Sequence, residues 1–189
     1  MTDFRGRFDS ASPALPGGTG RRRWLLAALV CIAMPRSGTL PVSAQDVGLP
    51  VGATPAAAEV EDLDGNTVDL ATLVGSGKPA VVEFWATWCP LCEALEPTLQ
   101  DAKQRFGDRV DFIIVGVAVN QTPRRIQRHL EDHQAVGPVF YDRRGAAVRS
   151  YRAPTTSYVV ILDAAGRVAY TGTGGDQPIV ETLDKLLGG

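Results

Sequence analysis

The sequence has little cysteine, no excess of basic residues and no long apolar run. Its 189 residues include 19 basic and 21 acidic side chains, and this net charge of −2 excludes a strongly basic nucleic-acid binder. Only 21% of the residues are charged, which excludes a charge-rich disordered chain, and 44% are apolar, enough for a domain core. The longest apolar run, residues 24–34, is shorter than the roughly 20 residues that cross a bilayer. We therefore expect no spanning membrane anchor.

The first 44 residues are predicted to be an export signal. Three arginines at positions 21–23 precede the apolar run 24–34, which is the order of charged and apolar segments in a secretory signal. Small residues at 42–44 indicate a cleavage site, so the mature chain is expected to begin at Gln45. The first 44 residues hold six arginines and two acids, which leaves the remainder 13 basic and 19 acidic residues, a net charge of −6. An acidic, exported domain in the periplasm or another extracytoplasmic space is therefore predicted, and nucleic acid is not its expected partner.

Two export routes fit this segment. The arginines followed by Trp24 and Leu25 are compatible with the general secretory route or the twin-arginine route, although Gly20 stands where the twin-arginine motif usually has Ser or Thr. A lipoprotein would need Cys31 as its lipidated residue, but the residues before Cys31 match that signal poorly. The choice between the two routes stays open.

The rest of the chain is predicted to be a short flexible lead-in, residues 45–58, followed by one α/β domain, residues 59–189. A turn at 64–66 between two short strands predicts an N-terminal β-hairpin. Apolar runs at 80–86 and 110–119 are typical of buried central strands. The other expected elements are helices at 90–106, 123–133 and 178–187, strands at 138–141, 156–162 and 168–171, and a turn or helical turn at 142–151. This order predicts a central mixed sheet flanked by helices.

The two cysteines of the predicted mature chain, Cys89 and Cys92, form one C-x-x-C pair. A disulfide that closes so short a loop constrains little of the unfolded chain, so a purely stabilising role is poorly motivated. The pair follows a predicted buried strand and opens a predicted helix. Unpaired backbone N–H groups and the helix dipole stabilise a thiolate at that position. We therefore expect Cys89 to be the attacking sulfur and Cys92 the resolving one.

The residues around this pair resemble the active-site segment of the thioredoxin superfamily. The matching stretch is residues 82–92, Val-Glu-Phe-Trp-Ala-Thr-Trp-Cys-Pro-Leu-Cys. Pro97 is similar to the helix-kinking proline of that family, Pro154-Thr155-Thr156 to its cis-proline loop, and residues 162–168 to its terminal strand-turn-strand. With the hairpin, the helical insert after Val119 and the export signal, the chain resembles the extracytoplasmic TlpA/ResA type of thiol–disulfide oxidoreductase.

This resemblance implies a thioredoxin fold with an N-terminal β-hairpin and a helical insert, and it implies roles for several residues. Pro154 would be cis and lie against the sulfurs, where the backbone of Ala153 could pair with an extended substrate. Glu83 matches a buried acid that accepts the proton of the resolving cysteine, and burial would raise its pKa. Trp88 and Pro90, which flank Cys89, are candidates for shaping the substrate groove, and a simple packing role is the alternative for Trp88.

Other interpretations of the candidate residues stay open. The cysteines could form a structural disulfide or half of a metal site, but a tetrahedral site needs four ligands, and His129 and His133 are far from zinc-finger spacing. The two histidines are expected to lie on a solvated helix face. The arginines at 124, 125 and 128 are also expected to be solvated, with a docking patch as the alternative. We expect no metal and no cofactor.

The predicted function is reduction of selected protein disulfides after recharging by a membrane thiol electron donor, as the resemblance implies. Haem-attachment cysteines of apocytochromes c are one substrate of such proteins. An oxidant or isomerase would use the same chemistry in the other direction, and the Pro90-Leu91 dipeptide does not decide between them. A redox-silent binding module or metallochaperone is the alternative of another class, and a peroxiredoxin-like peroxidase lacks support because Thr87 lies only two residues before Cys89.

Overall fold

The computed structural model describes residues 48–188. The predicted export signal and residues 45–47 of the lead-in lie outside the described residues. Within that range the chain forms seven strands, four α-helices and one 3₁₀ helix. In chain order they are β1 (Glu59–Glu61), β2 (Thr67–Asp69), the 3₁₀ helix (Leu70–Thr72), β3 (Ala80–Trp85), α1 (Pro90–Phe106), β4 (Asp111–Val117), α2 (Pro123–Leu130), β5 (Val139–Asp142), α3 (Ala146–Ser150), β6 (Tyr158–Leu162), β7 (Val168–Thr173) and α4 (Ile179–Gly188).

All seven strands form one mixed sheet in the order β2-β1-β5-β4-β3-β6-β7. Strands β3, β4 and β5 are parallel, while β1 and β2 at one edge and β6 and β7 at the other pair antiparallel to their neighbours. The predicted mixed sheet flanked by helices is confirmed. Strand β3, which leads to Cys89, lies between β4 and β6, so the chain enters the cysteine pair from the interior of the sheet.

The side chains of β3 alternate between two apolar cores. Ala80, Val82 and Phe84 face a core closed by α3 and the aromatic rings that follow it, whereas Val81 faces a core formed with α1 and α4. Glu83 lies on the same face as Val81 because it is two residues further along the strand. An acidic side chain therefore occurs inside the sheet on the α1 side.

The N-terminal hairpin of β1 and β2 forms as predicted, with Val60 opposite Val68. The lead-in before it contains no helix or strand, but its described part is bound to the domain. The Leu49 N–H donates to the Tyr158 hydroxyl at 3.1 Å, and Gly52 and Val168 are joined by a backbone hydrogen bond of 2.7 Å. The domain therefore satisfies several backbone polar groups of residues 48–58, while the boundaries and flexibility of the lead-in stay a prediction.

Helices α1 and α2 place side chains next to Glu83. Helix α1 continues through Pro97. Helix α2 ends at Leu130, three residues before the expected end. Beneath it lies Gly116 of β4, where an added Cβ would come within 2.9 Å of Ile126 Cδ1, so glycine gives α2 room against the sheet. No helix among residues 48–188 combines the length and the apolar character needed to cross a membrane.

Candidate active site

Cys89 and Cys92 form a disulfide at the start of α1, with their Cα atoms 5.3 Å apart. Cys89 is the N-cap residue and Pro90 occupies the first turn, where its missing N–H leaves no helical hydrogen bond unmade. The Cys92 N–H donates to Cys89 Sγ at 3.2 Å. The first turn of the helix thus directs a donor at the sulfur of Cys89, which is the arrangement that stabilises a thiolate.

A groove of about 230 Å³ lies beside the disulfide and is lined by Cys89, Trp88 and Pro90 among other residues. The Trp88 ring is 40% exposed and its Nε1–H donates to the Val119 carbonyl at 2.8 Å. Leu91 and Val119 are also exposed apolar side chains. The groove next to Cys89 is therefore open and of mixed character, with Trp88 and Pro90 beside polar side chains such as Glu93 and Glu96.

Gln121, which the sequence analysis did not single out, fixes the loop that carries Cys89. Its side chain is buried; Oε1 accepts from the Thr87 N–H at 3.0 Å, and Nε2 donates to the Val117 carbonyl at 2.6 Å. Its own carbonyl accepts from the Tyr141 hydroxyl at 3.1 Å. One amide thus joins the loop before the cysteines to the end of β4. A single glutamine after a strand has no spacing pattern that could have revealed it.

Glu83 lies beneath the disulfide with only 4% of its surface exposed. Burial, and secondly the negative charge of Glu96, raise the pKa of Glu83 from its ordinary value of 4.5 to about 8. Its Oε1 has no hydrogen-bond partner among the described residues. Glu83 and Cys92 both line a cavity of about 50 Å³, which has room for a water molecule. The carboxyl group and the inner cysteine therefore face one space.

Two histidines close the outer side of this cavity. His129 and His133 are stacked with ring centroids 4.0 Å apart, and His129 also contacts the Trp85 ring at 5.3 Å. Desolvation and then the charge of His133 lower the pKa of His129, while Glu96 acts in the opposite direction. The sequence analysis placed both histidines on a solvated face. In the structure His133 is exposed, but His129 is only partly exposed and lines the cavity.

The predicted cis bond before Pro154 is wrong. The described residues contain only trans peptide bonds, and the chain turns here through Arg152 and Ser157, which have φ angles of 49° and 57°. The Ala153 N–H donates to the Val148 carbonyl at 2.9 Å, so the protein itself uses that donor. Ala153 packs against the core that contains the cysteines, but neither it nor Pro154 lines the groove beside Cys89.

The fold and these contacts define the class: a thioredoxin-fold domain with a C-x-x-C disulfide at the start of its first long helix and a buried carboxyl group beneath it. Residues 50–187 match the Redoxin family, and the chain belongs to that family.

Named relatives are similar to part of the chain, and a solved structure shares its fold. The chain is 30% identical over 102 residues to the thiol-disulfide oxidoreductase ResA of Oceanobacillus iheyensis, with 52% of each chain covered. It is 31% identical over 107 residues to the thiol:disulfide interchange protein TxlA homolog of Synechocystis, covering 57% of this chain and 54% of that one. The chain thus spans about half the length of these relatives. The thioredoxin domain of a thiol-disulfide oxidoreductase from Bacteroides vulgatus superposes with a TM-score of 0.60 at 24% identity, over 72% of this chain and 97% of that one, which shows the common fold.

Proposed function

We propose that this chain is an exported thiol–disulfide oxidoreductase that reduces selected protein disulfides through Cys89 and Cys92. The observation that carries the proposal is the position of the pair: Cys89 Sγ lies at the N-terminus of α1, accepts the Cys92 N–H and borders an open groove. The relatives named as thiol–disulfide oxidoreductases support the same activity.

In the proposed reaction the reduced protein transfers two electrons to a substrate disulfide. The Cys89 thiolate attacks one substrate sulfur, forms a mixed disulfide and expels the other sulfur as a thiolate that takes a proton from solvent. Cys92 then loses its proton to Glu83 through a water and attacks Cys89 Sγ. The second substrate thiol leaves, and Cys89–Cys92 is oxidised.

The groove residues are proposed to hold the substrate. Trp88 and Pro90 lie beside Cys89 in the groove, and the exposed Trp88 ring offers an apolar surface for the substrate chain. Ala153 and Pro154 are proposed to contact the substrate only where it extends beyond the groove, since the Ala153 N–H is already bonded.

The direction of electron flow, from this protein to its substrate, and the extracytoplasmic location of the protein are also part of the proposal. The segment at 21–44 supports export to the periplasm or another extracytoplasmic space, where a membrane thiol electron donor would recharge the oxidised pair. The haem-attachment cysteines of an apocytochrome c are one proposed substrate. An oxidant or isomerase with the same cysteines is the alternative that the first measurement must separate.

The decisive measurement is the equilibrium reduction potential of Cys89–Cys92 in glutathione or dithiothreitol buffers, read by mass-tagging of free thiols. We expect a value near or below about −270 mV, as for thioredoxin, whereas a value near about −120 mV would make the protein an oxidant. Failure to form a reversible disulfide would reject the enzyme and favour a binding module.

A trapping experiment identifies the substrates. Cys92→Ser leaves Cys89 able to form the mixed disulfide but unable to release it, so Cys92→Ser is expected to accumulate covalent complexes in the exported protein fraction. Cys89→Ser is the matched control and should trap none. Equal trapping by both variants would contradict the assignment of Cys89 as the attacking sulfur.

A further inference from the structure

The buried cavity and the substrate groove have a common wall. The cavity contains Glu83 and Cys92, and the groove contains Cys89. The residues that line both spaces are Trp85, Glu96, His129 and His133. Three of these four side chains can bind or release a proton, so the wall between the inner carboxyl group and the open groove is made largely of titratable groups.

This wall matters because no other route among the described residues leads a proton from Glu83 to the solvent. Its Oε1 is buried and without a hydrogen-bond partner among the described residues, and its face of β3 is otherwise packed against apolar side chains of α1 and α4. A group in such a site that accepts a proton must release it before it can act again. Two partly exposed side chains on the wall can accept a proton, Glu96 and His129. His129 is stacked on the exposed His133, which continues the wall toward the solvent.

We propose that His129 carries the proton of the resolving cysteine from Glu83 to the solvent in the groove, with Glu96 supporting the positive charge that His129 acquires. This proposal rests on the proposed oxidoreductase function. It assigns His129 to proton transfer and Glu96 to positioning, since among the described residues no hydrogen bond joins either side chain to a reacting sulfur.

The proton balance of the step is complete. In molecules whose Glu83 is ionised, a fraction that grows as the pH rises toward 8, Cys92 gives its proton to that carboxylate and attacks Cys89 Sγ. The substrate thiolate that leaves is protonated by solvent. Protonated Glu83 passes its proton through a water to the neutral His129 ring, and the resulting imidazolium loses it to the solvent or buffer in the groove. No electrons move in this second part, so no further oxidant or reductant is needed.

The charged groups around the wall fit this role. The charge of Glu96 on α1 adds to the raised pKa of Glu83 and opposes the lowering of the pKa of His129 by desolvation and His133. The titratable and charged side chains that line the pockets around Glu83 and His129 are, besides these two, Cys89, Cys92, Glu93, Glu96, Arg124, Arg125, Arg128, Asp132 and His133. No three His, Cys, Asp or Glu side chains among residues 48–188 are grouped so that they could hold a metal ion, and a metal centre is therefore not the proposal.

The test separates the two cysteine steps in the full reduced protein. Rapid mixing with excess dithiobis(nitrobenzoic acid), a chromogenic disulfide, releases one coloured thiol when Cys89 attacks and a second when Cys92 resolves. We expect His129→Gln to slow the second release by about ten-fold, which is less than the effect of removing a group that acts directly as acid or base. The first release should slow by less than about two-fold. Added imidazole should restore the second rate, since a small diffusible base replaces the missing ring.

Arg128→Gln is the matched control, because Arg128 is the exposed neighbour on α2 and does not line the cavity. It should leave both releases unchanged. A second pair of variants tests the charge of Glu96. Glu96→Gln should move the pH midpoint of the second release to lower pH. Glu93→Gln should not, because Glu93 lines the groove but not the cavity.

The outcomes distinguish this inference from the function on which it rests. Absence of the first release would overturn the proposed function itself. A normal first release with a second release that is equal in His129→Gln and Arg128→Gln would overturn only the proton route. Slowing without rescue by imidazole would also overturn it, because it would show a structural role for His129.

Discussion

The two faces of β3, formed by alternating side chains of one strand, have different surroundings. On one face Phe84 contacts Tyr151 and Tyr158, with ring centroids 5.5 and 5.8 Å apart, and the ring packing leaves Phe84 completely buried. On the other face the next residue toward the N-terminus, Glu83, borders a cavity that reaches Cys92. The first face is sealed by apolar packing and the second encloses an ionisable group.

This difference places the aromatic packing and the ionisable group on opposite sides of the sheet, while Cys89 and Cys92 belong to the core of the Phe84 face. Burying a carboxyl group without a partner costs free energy, so it persists only where the rest of the domain offsets that cost. The aromatic face contributes apolar burial of this kind. Changes on the aromatic face should therefore act mainly on the free energy of unfolding, whereas changes at Glu83 should alter its pH dependence.

The largest effect is expected from Phe84→Ala on the sealed face. Removal of a fully buried ring leaves a cavity and should lower the free energy of unfolding by about 3–5 kcal/mol, measured by denaturant unfolding of the oxidised protein. The oxidised and reduced forms lose the same contacts, so the reduction potential of Cys89–Cys92 should stay as in the wild type. A large shift of that potential would contradict the division between the two faces.

The second effect is the pH dependence that Glu83 imposes on stability. The unfolded chain ionises Glu83 at its ordinary pKa of 4.5, but the folded chain keeps the proton until about pH 8. The stabilising contribution is therefore fully present below pH 4.5 and is lost as the pH rises toward 8, because the unfolded state then binds fewer protons. The loss amounts to about 3 kcal/mol between pH 5 and pH 8.

Glu83→Gln should abolish this loss, since an amide does not titrate. The measurement is denaturant unfolding of the oxidised protein at several pH values, in which the disulfide itself cannot titrate. Glu59→Gln, at an exposed position of β1, is the control and should keep the wild-type slope. Parallel pH curves for Glu83→Gln and the wild type would show that the carboxyl group is ionised in the fold.

Much of the fold followed from local sequence signals. The apolar run at 80–86 and the Gly-closed helix pattern at 90–106 predicted β3 and α1 to within one residue, because a central strand and an amphipathic helix have strong periodic patterns. The hairpin followed from its turn, where Gly65 has a φ of 92°. The cysteine pair was predicted at the helix start because it lies between the apolar run and the helical pattern.

The parts that were missed depend on contacts between distant segments. The lead-in is held by the Tyr158 hydroxyl, which is 109 residues away from Leu49 in sequence. His129 reaches the cavity from α2, which packs over Gly116, and a helical pattern in the sequence does not state which sheet residue lies beneath the helix. Pro154 shows the reverse case, in which a motif predicted a backbone conformation that this chain does not adopt.

The smallest effect is expected from Gln121→Ala, in the loop that joins β3 to Cys89. Gln121→Ala removes the acceptor of the Thr87 N–H and the donor to Val117, and a part-buried N–H left without a partner costs about 1–3 kcal/mol. Because Thr87 lies two residues before Cys89, the variant should also raise the KM for a protein disulfide more than it lowers kcat. Gln127→Ala, which breaks one exposed hydrogen bond to Leu63, should change unfolding by less than about 0.5 kcal/mol and leave both constants unchanged. If the two variants were equally stable and equally active, the amide of Gln121 would not hold the loop, and the position of Cys89 would depend on β3 and α1 alone.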